Sequence, residues 1–405
     1  MKKKSSIICG LDVGTSKICM VIARAHSDGV LEYISSGHAE SKGINKGVVV
    51  NIDEAADAIR KAANEAEKKA DMSVDMVRLG AGGDHFQGYN SRGAVPVSGE
   101  RQEVTFDLAK QVVDAAKSLI VPPDREIRHV LTQEFFLDGQ GGIKNPIGLF
   151  GSQLSVNVHI ITCQSALVQN LINAVNRAEM RVQKVIAQPL AAAESVLTKD
   201  ERELGVAVID IGGGSTNIAV IQHNSVRFTK ILQVGGHSFT RDLSIGLQTP
   251  FEEAERIKKA SGTVSTERAE TEEDVEIPGM GMRSSHTVAR NTVCNILRAR
   301  AMELLEIIGN QLHMATDGYP LTACAVITGG GSQLDGMAEL AEKILKMPVR
   351  PGTPMGIRGL SDDMQHPECA SAAGLALFGA NDHINGKKLN GIQRFFDRVL
   401  SWIEK

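Results

Sequence analysis

Aromatic side chains are scarce in this sequence: they make up 4% of 405 residues, with one Trp and three Tyr. Any local concentration of them is therefore informative. Long apolar runs are missing as well. No stretch approaches the roughly 18 residues of a membrane-spanning helix. After Met1-Lys2-Lys3-Lys4 the apolar run Ile7-Ile8-Cys9 stops at Gly10 and Asp12, too short for the core of a signal peptide. A cytoplasmic protein is expected unless something anchors it. There is no excess of positive charge. The formal net charge of -4 argues against a nucleic-acid partner held by broad backbone neutralisation. Attraction to an anionic surface would need a local basic patch. Six cysteines stand at 9, 19, 163, 294, 324 and 369 with no CxxC and no metal-ligand spacing. They read as small buried hydrophobes in a reducing compartment rather than as disulfides or zinc ligands. The pattern G-x-x-x-x-G-K-[ST] is absent, which excludes a P-loop.

What is present begins with a sentence of strands and turns that is spoken twice. Apolar Ile7 to Leu11 leads to Asp12-Val13-Gly14-Thr15-Ser16, then Ile18 to Ala23, a turn at Ser27-Asp28-Gly29, and Val30 to Ser35. Later, Val206 to Ile209 leads to Asp210-Ile211-Gly212-Gly213-Gly214-Ser215-Thr216, then Ile218 to Ile221, a turn near His223-Asn224-Ser225, and Val226 to Val234. Two copies about 200 residues apart predict a duplicated, two-lobed α/β architecture, with helices such as Asp53 to Ala70 and Phe251 to Ala260 flanking each sheet. The chain exceeds what one small core requires, in keeping with two lobes.

Both Asp-x-Gly turns suit a phosphate. Glycines allow close backbone approach, consecutive amides and hydroxyls donate to an anion, and an Asp at a strand end can hold hydrated Mg²⁺. The candidates are Asp12, Gly14, Thr15, Ser16 and Lys17 in the first loop, and Asp210, Gly212, Gly213, Gly214, Ser215, Thr216 and Asn217 in the second. Asp12 and Asp210 are the candidate metal contacts, through water. A third cluster, Gly329-Gly330-Gly331, follows the strand Ala325 to Thr328 and precedes a predicted helix at Met337 to Lys346, a place for a nucleotide's sugar or α-phosphate.

The order of these loops resembles the actin, Hsp70 and sugar-kinase ATPase superfamily. Gln188-Pro189-Leu190-Ala191-Ala192-Ala193 is similar to its first interdomain connector and Ala370 to Phe378 to its second. Glu255 and Lys258 match the adenosine-contacting pair, although an exposed helical ion pair would read the same. Within the superfamily the chain resembles the FtsA family of bacterial cell-division proteins over nearly its whole length. The resemblance is carried by Gly142-Ile143-Lys144-Asn145-Pro146-Ile147-Gly148, by His159-Ile160-Ile161-Thr162, and by Ser195-Val196-Leu197-Thr198 with Asp200 to Gly205. It implies an actin-like fold divided into residues 1–84 of the first lobe, an inserted small α+β subdomain at 85–161, a return with connector at 162–195, a second lobe at 196–370, a connector helix at 371–379, a linker at 380–391 and a terminal helix at 392–405. One departure stands out. Asn217 occupies a position where many relatives have Asp, and Asn cannot act as a base. Gln188 could orient a water. ATP binding with Mg²⁺ is thus a safer expectation than turnover.

From Ile392 to Lys405 the apolar residues Ile392, Phe395, Phe396, Val399, Leu400, Trp402 and Ile403 fall within an arc of about 160° on a helical wheel. Arg394, Asp397, Arg398, Ser401, Glu404 and Lys405 take the other side. The only Trp lies here beside a basic flank, which suits a helix lying among anionic lipid headgroups. The resemblance makes this the membrane-targeting sequence. It also implies self-assembly, recruitment of later division proteins, and capture of the FtsZ C-terminal tail near Arg283 and Arg300, at the inner membrane of the division site. A scaffold of the type IV pilus assembly kind shares fold and insertion and is the alternative. A chaperone ATPase would need a further domain, and a sugar kinase a small-molecule site and no such tail.

Overall fold

The computed structural model is described over residues 6–98, 102–118, 121–269, 274–279, 284–316, 321 and 323–388, with 381–388 by backbone alone. Its two main sheets share one build. From edge to edge, the first runs Arg181–Ala187, Met76–Ala81, Ser6–Val13, Lys17–Ala25, Leu31–Glu40 and Ile357–Arg358. The second runs Val349–Pro351, Cys324–Thr328, Val206–Ile211, Thr216–Gln222 and Ser225–Leu232. In each, an antiparallel meander of three strands carries parallel strands beside its first member. Ser6–Val13 pairs antiparallel with Lys17–Ala25 and parallel with Met76–Ala81. Val206–Ile211 pairs antiparallel with Thr216–Gln222 and parallel with Cys324–Thr328. The duplication signalled by two short turns therefore extends through whole sheets. Every residue of Val206–Ile211 is buried, as expected for a central strand covered on both faces.

Local chemistry explains the flanking helices. Ile52–Ala70 starts where the Asn51 side chain accepts from the amides of Asp53 and Glu54, and ends with Lys68 and Lys69 against the helix dipole. Its buried stripe is nearly all alanine (Ala55, Ala58, Ala62, Ala66), so it lies close on the sheet. A Cβ at Gly37 would sit 2.0 Å from the Ala62 carbonyl oxygen. The second lobe packs the apolar stripe of Arg290–Ala315, including Leu297, Leu304, Leu305 and Ile308, against Phe239, Leu243 and the sheet.

Two helices pass between the lobes, Gln188–Val196 and Ala370–Lys388. The Ser195 hydroxyl donates to the Ala370 carbonyl at 2.7 Å. At the crossing, Gly374 presses on Ala191, where a Cβ would stand 1.7 Å from the carbonyl oxygen. The second helix continues to Lys388, so the stretch 380–391, expected as a linker, begins as helix. Elongation of a helix already nucleated by buried residues needs only one hydrogen bond per residue, which carries it through polar positions and Gly386.

The insertion forms a four-stranded antiparallel sheet in the order Gln87–Pro96, Gln153–Gln164, Arg125–Leu137 and Gln140–Ile143, with the helix Phe106–Ala116 on one face. Val112, Val113, Val130, Leu154 and Ile160 belong to its own core. It also docks on the second lobe. His159, fully buried, bonds Asn90 Oδ1 through Nδ1 and Thr229 Oγ1 through Nε2, both at 2.8 Å. The Asn90 carbonyl oxygen can only accept, so the ring proton sits on Nδ1 and Thr229 donates. Gln133 donates to the Val226 carbonyl at 2.9 Å, and Arg227 pairs with Glu134 at 3.2 Å.

Candidate functional site between the lobes

The two Asp-x-Gly turns close in the same way. The Gly14 amide donates to the Lys17 carbonyl at 3.1 Å, and the Gly212 amide to the Ser215 carbonyl at 2.9 Å. Each turn caps the hairpin that follows its Asp, with Asp12 opposite Cys19 and Asp210 opposite Asn217 across the strands. The turns face each other from opposite lobes. A Cβ at Gly213 would meet Ser16 Oγ at 1.8 Å and one at Gly214 would meet Thr15 Oγ1 at 2.6 Å, so a larger residue at either position would have to push the opposing hydroxyl aside. Above them opens a cavity of about 700 Å³ lined by both turns, by Glu255, Lys258 and Lys259, and by Gly329 to Gly331.

Two carboxylates face this cavity from the ends of their strands. Asp12 is buried and accepts from Gln188 Nε2 at 2.8 Å. Burial, with a smaller contribution from the charge of Asp210, raises its carboxyl to about 6. Asp210 accepts from Asn217 Nδ2 at 3.0 Å and Ser371 Oγ at 3.3 Å, and burial raises it too. Asn217 Oδ1 is buried without a hydrogen-bond partner. Two desolvated carboxylates that repel each other, beside an idle acceptor, form an oxygen-rich site that a hydrated divalent cation would satisfy. The glycine cradle offers room for the phosphates that such a cation accompanies. The residues present could therefore hold a hydrated divalent cation at Asp12 and Asp210 and phosphates at the two turns, with Glu255, Lys258 and Gly329 to Gly331 lining the rest of the cavity.

The remaining predicted residues are placed as follows. Gln188 begins the first connector, and its amide is committed to Asp12. Lys258 pairs with Glu255 at 2.7 Å and also donates to Thr240 Oγ1 and to the Gly236 carbonyl. This is a buried network rather than an exposed helical pair. Lys17 lines the cavity, but its ammonium is held by Glu368 at 3.0 Å and Cys369 Sγ at 3.4 Å. Thr216 is wholly buried and donates to the Val234 carbonyl, so it shapes the hairpin instead of facing a ligand. Several lining residues escaped the sequence reading, among them His237, Arg290, Gln333 and Ser371. His237 meets Ser16 Oγ at 2.9 Å, and burial holds its imidazole below the usual range. The pair Gly235-Gly236 directly before it, at the start of the helix Gly236–Gly246, was the legible signal.

Comparison with known proteins decides the family. The family model "Cell division protein FtsA" matches residues 207–374, and the model of the SHS2 domain inserted in FTSA matches 83–162. The cell division protein FtsA of Neisseria meningitidis serogroup B is 38% identical across 93% of this chain and 90% of its own length. That of Escherichia coli K12 is 34% identical across 98% of both. The chain belongs to the FtsA family.

Solved structures show the actin-like fold. The PilM-PilN type IV pilus biogenesis complex matches with a TM-score of 0.67 at 17% identity, over 92% of this chain and 98% of the other. MreB5 of Spiroplasma citri bound to ADP matches at 0.56 and 13%, over 95% and 99%. Of the two arginines suggested by the resemblance to FtsA proteins, Arg283 lies outside the described residues. Arg300 is engaged within the second lobe, forked onto both carboxylate oxygens of Asp242 and paired with Glu303. An acidic ligand at Arg300 would have to compete with Asp242 or Glu303. The proposed membrane residues from Ile392 to Ile403 also lie outside the described residues, and no described helix is long and apolar enough to cross a membrane.

Proposed function

We propose that the protein binds ATP with Mg²⁺ between its lobes, assembles with further copies of itself, and ties FtsZ through its C-terminal tail to the cytoplasmic face of the inner membrane, where later division proteins join. The observation that carries the nucleotide reading is the facing pair of Asp-x-Gly turns with two buried, mutually repelling carboxylates. Family membership carries the division role, and the basic, Trp-bearing tail supports the membrane step. Asn217 cannot act as a base and the Gln188 amide is committed to Asp12, which favours a nucleotide-gated adaptor with weak turnover. A single short amphipathic helix binds lipid reversibly, so firm attachment requires several protomers side by side.

The test is co-sedimentation with anionic vesicles, comparing the full chain with one ending at Asn390, with and without ATP and Mg²⁺. The full chain should pellet, more so with ATP, and the shortened chain should stay in the supernatant. Two soluble forms would sink the membrane role and favour the pilus-type scaffold.

A further inference from the structure

Behind the cavity wall, Cys19, His38 and Cys369 place one ligand atom each within 4.8 Å of one another. They come from three elements. Cys19 lies on Lys17–Ala25, His38 is its direct partner on the neighbouring strand, and Cys369 stands immediately before the second connector helix. Both thiols are fully buried. His38 Nε2 is buried without a hydrogen-bond partner, and the nearest carboxylate, Asp363, is 3.7 Å away.

We infer that Cys19, His38 and Cys369 form a site for a thiophilic divalent ion of the zinc type, with Asp363 or water as the fourth ligand. Two thiolates and a neutral imidazole are the donor set that Zn²⁺ selects. Around tetrahedral zinc, with Zn–S near 2.3 Å, two sulfurs stand roughly 3.8 Å apart, so the cluster need contract by at most about 1 Å. Charge also balances. Two thiolates neutralise the ion, and Lys17, 3.4 Å from Cys369 Sγ, is itself neutralised by Glu368. His38 is only partly buried, which leaves a path of entry. Cysteine spacing could not reveal such a site, because its ligands are brought together by strand register and by a connector some 350 residues later along the chain. A bound ion would pin the first lobe's hairpin to the connector, beside Lys17 and Glu368 of the cavity wall.

The probe is Co²⁺ added to the reduced, chelator-free full chain, followed by Zn²⁺ competition. One equivalent should produce a thiolate-to-cobalt charge-transfer band that Zn²⁺ abolishes. C369S and H38Q should weaken cobalt binding at least about tenfold while keeping native circular dichroism. C294S, which alters a buried thiol of the second lobe, should leave the band intact. Should C369S fail to fold, H38Q decides. A folded, reduced wild-type protein without the band overturns the inference, as does a band unchanged in H38Q. Loss of two hydrogens in air, with no band after reduction, overturns it in favour of a Cys19–Cys369 disulfide.

Discussion

An ionised Asp12 in the ligand-free protein has lost nearly all its hydration and gained one hydrogen bond, from Gln188. Its carboxyl rises from 3.8 to about 6, so the folded chain holds this proton more tightly than the unfolded chain does. Ionisation at pH 7 therefore costs stability, of the order of 1–3 kcal/mol, a cost relieved by acid or by a cation. Asp12→Asn keeps an acceptor for Gln188 and carries no charge. It should raise the melting temperature of the ligand-free protein while weakening Mg·ATP binding at least about tenfold, read by calorimetry and by titration of a fluorescent nucleotide. The sign reverses at Glu201. Arg350 forks onto both its oxygens at 2.6 and 2.8 Å and, with Thr198 caps, draws its carboxyl down to about 2. That stabilisation is present above the unfolded value near 4.5 and is lost as pH falls toward about 2. Glu201→Gln should cost about 1–2 kcal/mol at neutral pH, water screening part of the pair, and leave nucleotide affinity unchanged. Asp12 and Asp210 were readable because a strand end, an acid and a glycine are adjacent in the chain. Ser371 was not, since it joins the site only through the packing of a helix, and His237 left only the Gly235-Gly236 pair before it as a signal.

Among elements, the crossing of the two connector helices is the tightest contact. Gly374→Ala would drive a Cβ to 1.7 Å from the Ala191 carbonyl oxygen, and backbone cannot rotate aside. The helices must part, at about 3 kcal/mol or more, and the lobes they join must shift. Gly309, within Arg290–Ala315, makes the control. Its Cβ would meet only Leu345 Cδ2 at 3.5 Å, so Gly309→Ala should be neutral or stabilising by about 0.5–1 kcal/mol. Denaturant titration of both variants separates helix propensity from crossing geometry, and equal losses would refute the assigned contact. The resemblance marked both connectors, and the second is rich in Ala and Gly. Which glycine bears the crossing depends on helix phase and approach distance, which composition does not encode. The polar stretch after Ala380 misled for a related reason, because a helix can be carried onward by its buried beginning.

At the scale of the molecule, the duplicated sheets were legible because each strand is written locally. The seam between insertion and second lobe was not, since His159 and Thr229 are 70 residues apart and meet only in the assembled fold. Buried histidines, His159 of that seam among them, also set how the ligand-free protein responds to acid. Burial lowers His159 and His85 from 6.5 to about 4, and lowers His38 and His237 as well. For these groups the unfolded chain binds protons more readily, so stability is lost as pH falls below 6.5. Asp12, raised to about 6, pushes the other way, but most of its uptake comes below that pH, and burial shifts Asp210 in the same direction. Between about pH 7 and pH 6 the histidines win, and stability should fall by the order of 1 kcal/mol. His159→Gln can still bridge Asn90 and Thr229 but cannot charge, and it should flatten the slope by roughly a quarter to a half. Calorimetry in the two buffers measures both. A melting temperature that rises on mild acidification would mean that the cleft carboxylates outweigh the buried histidines.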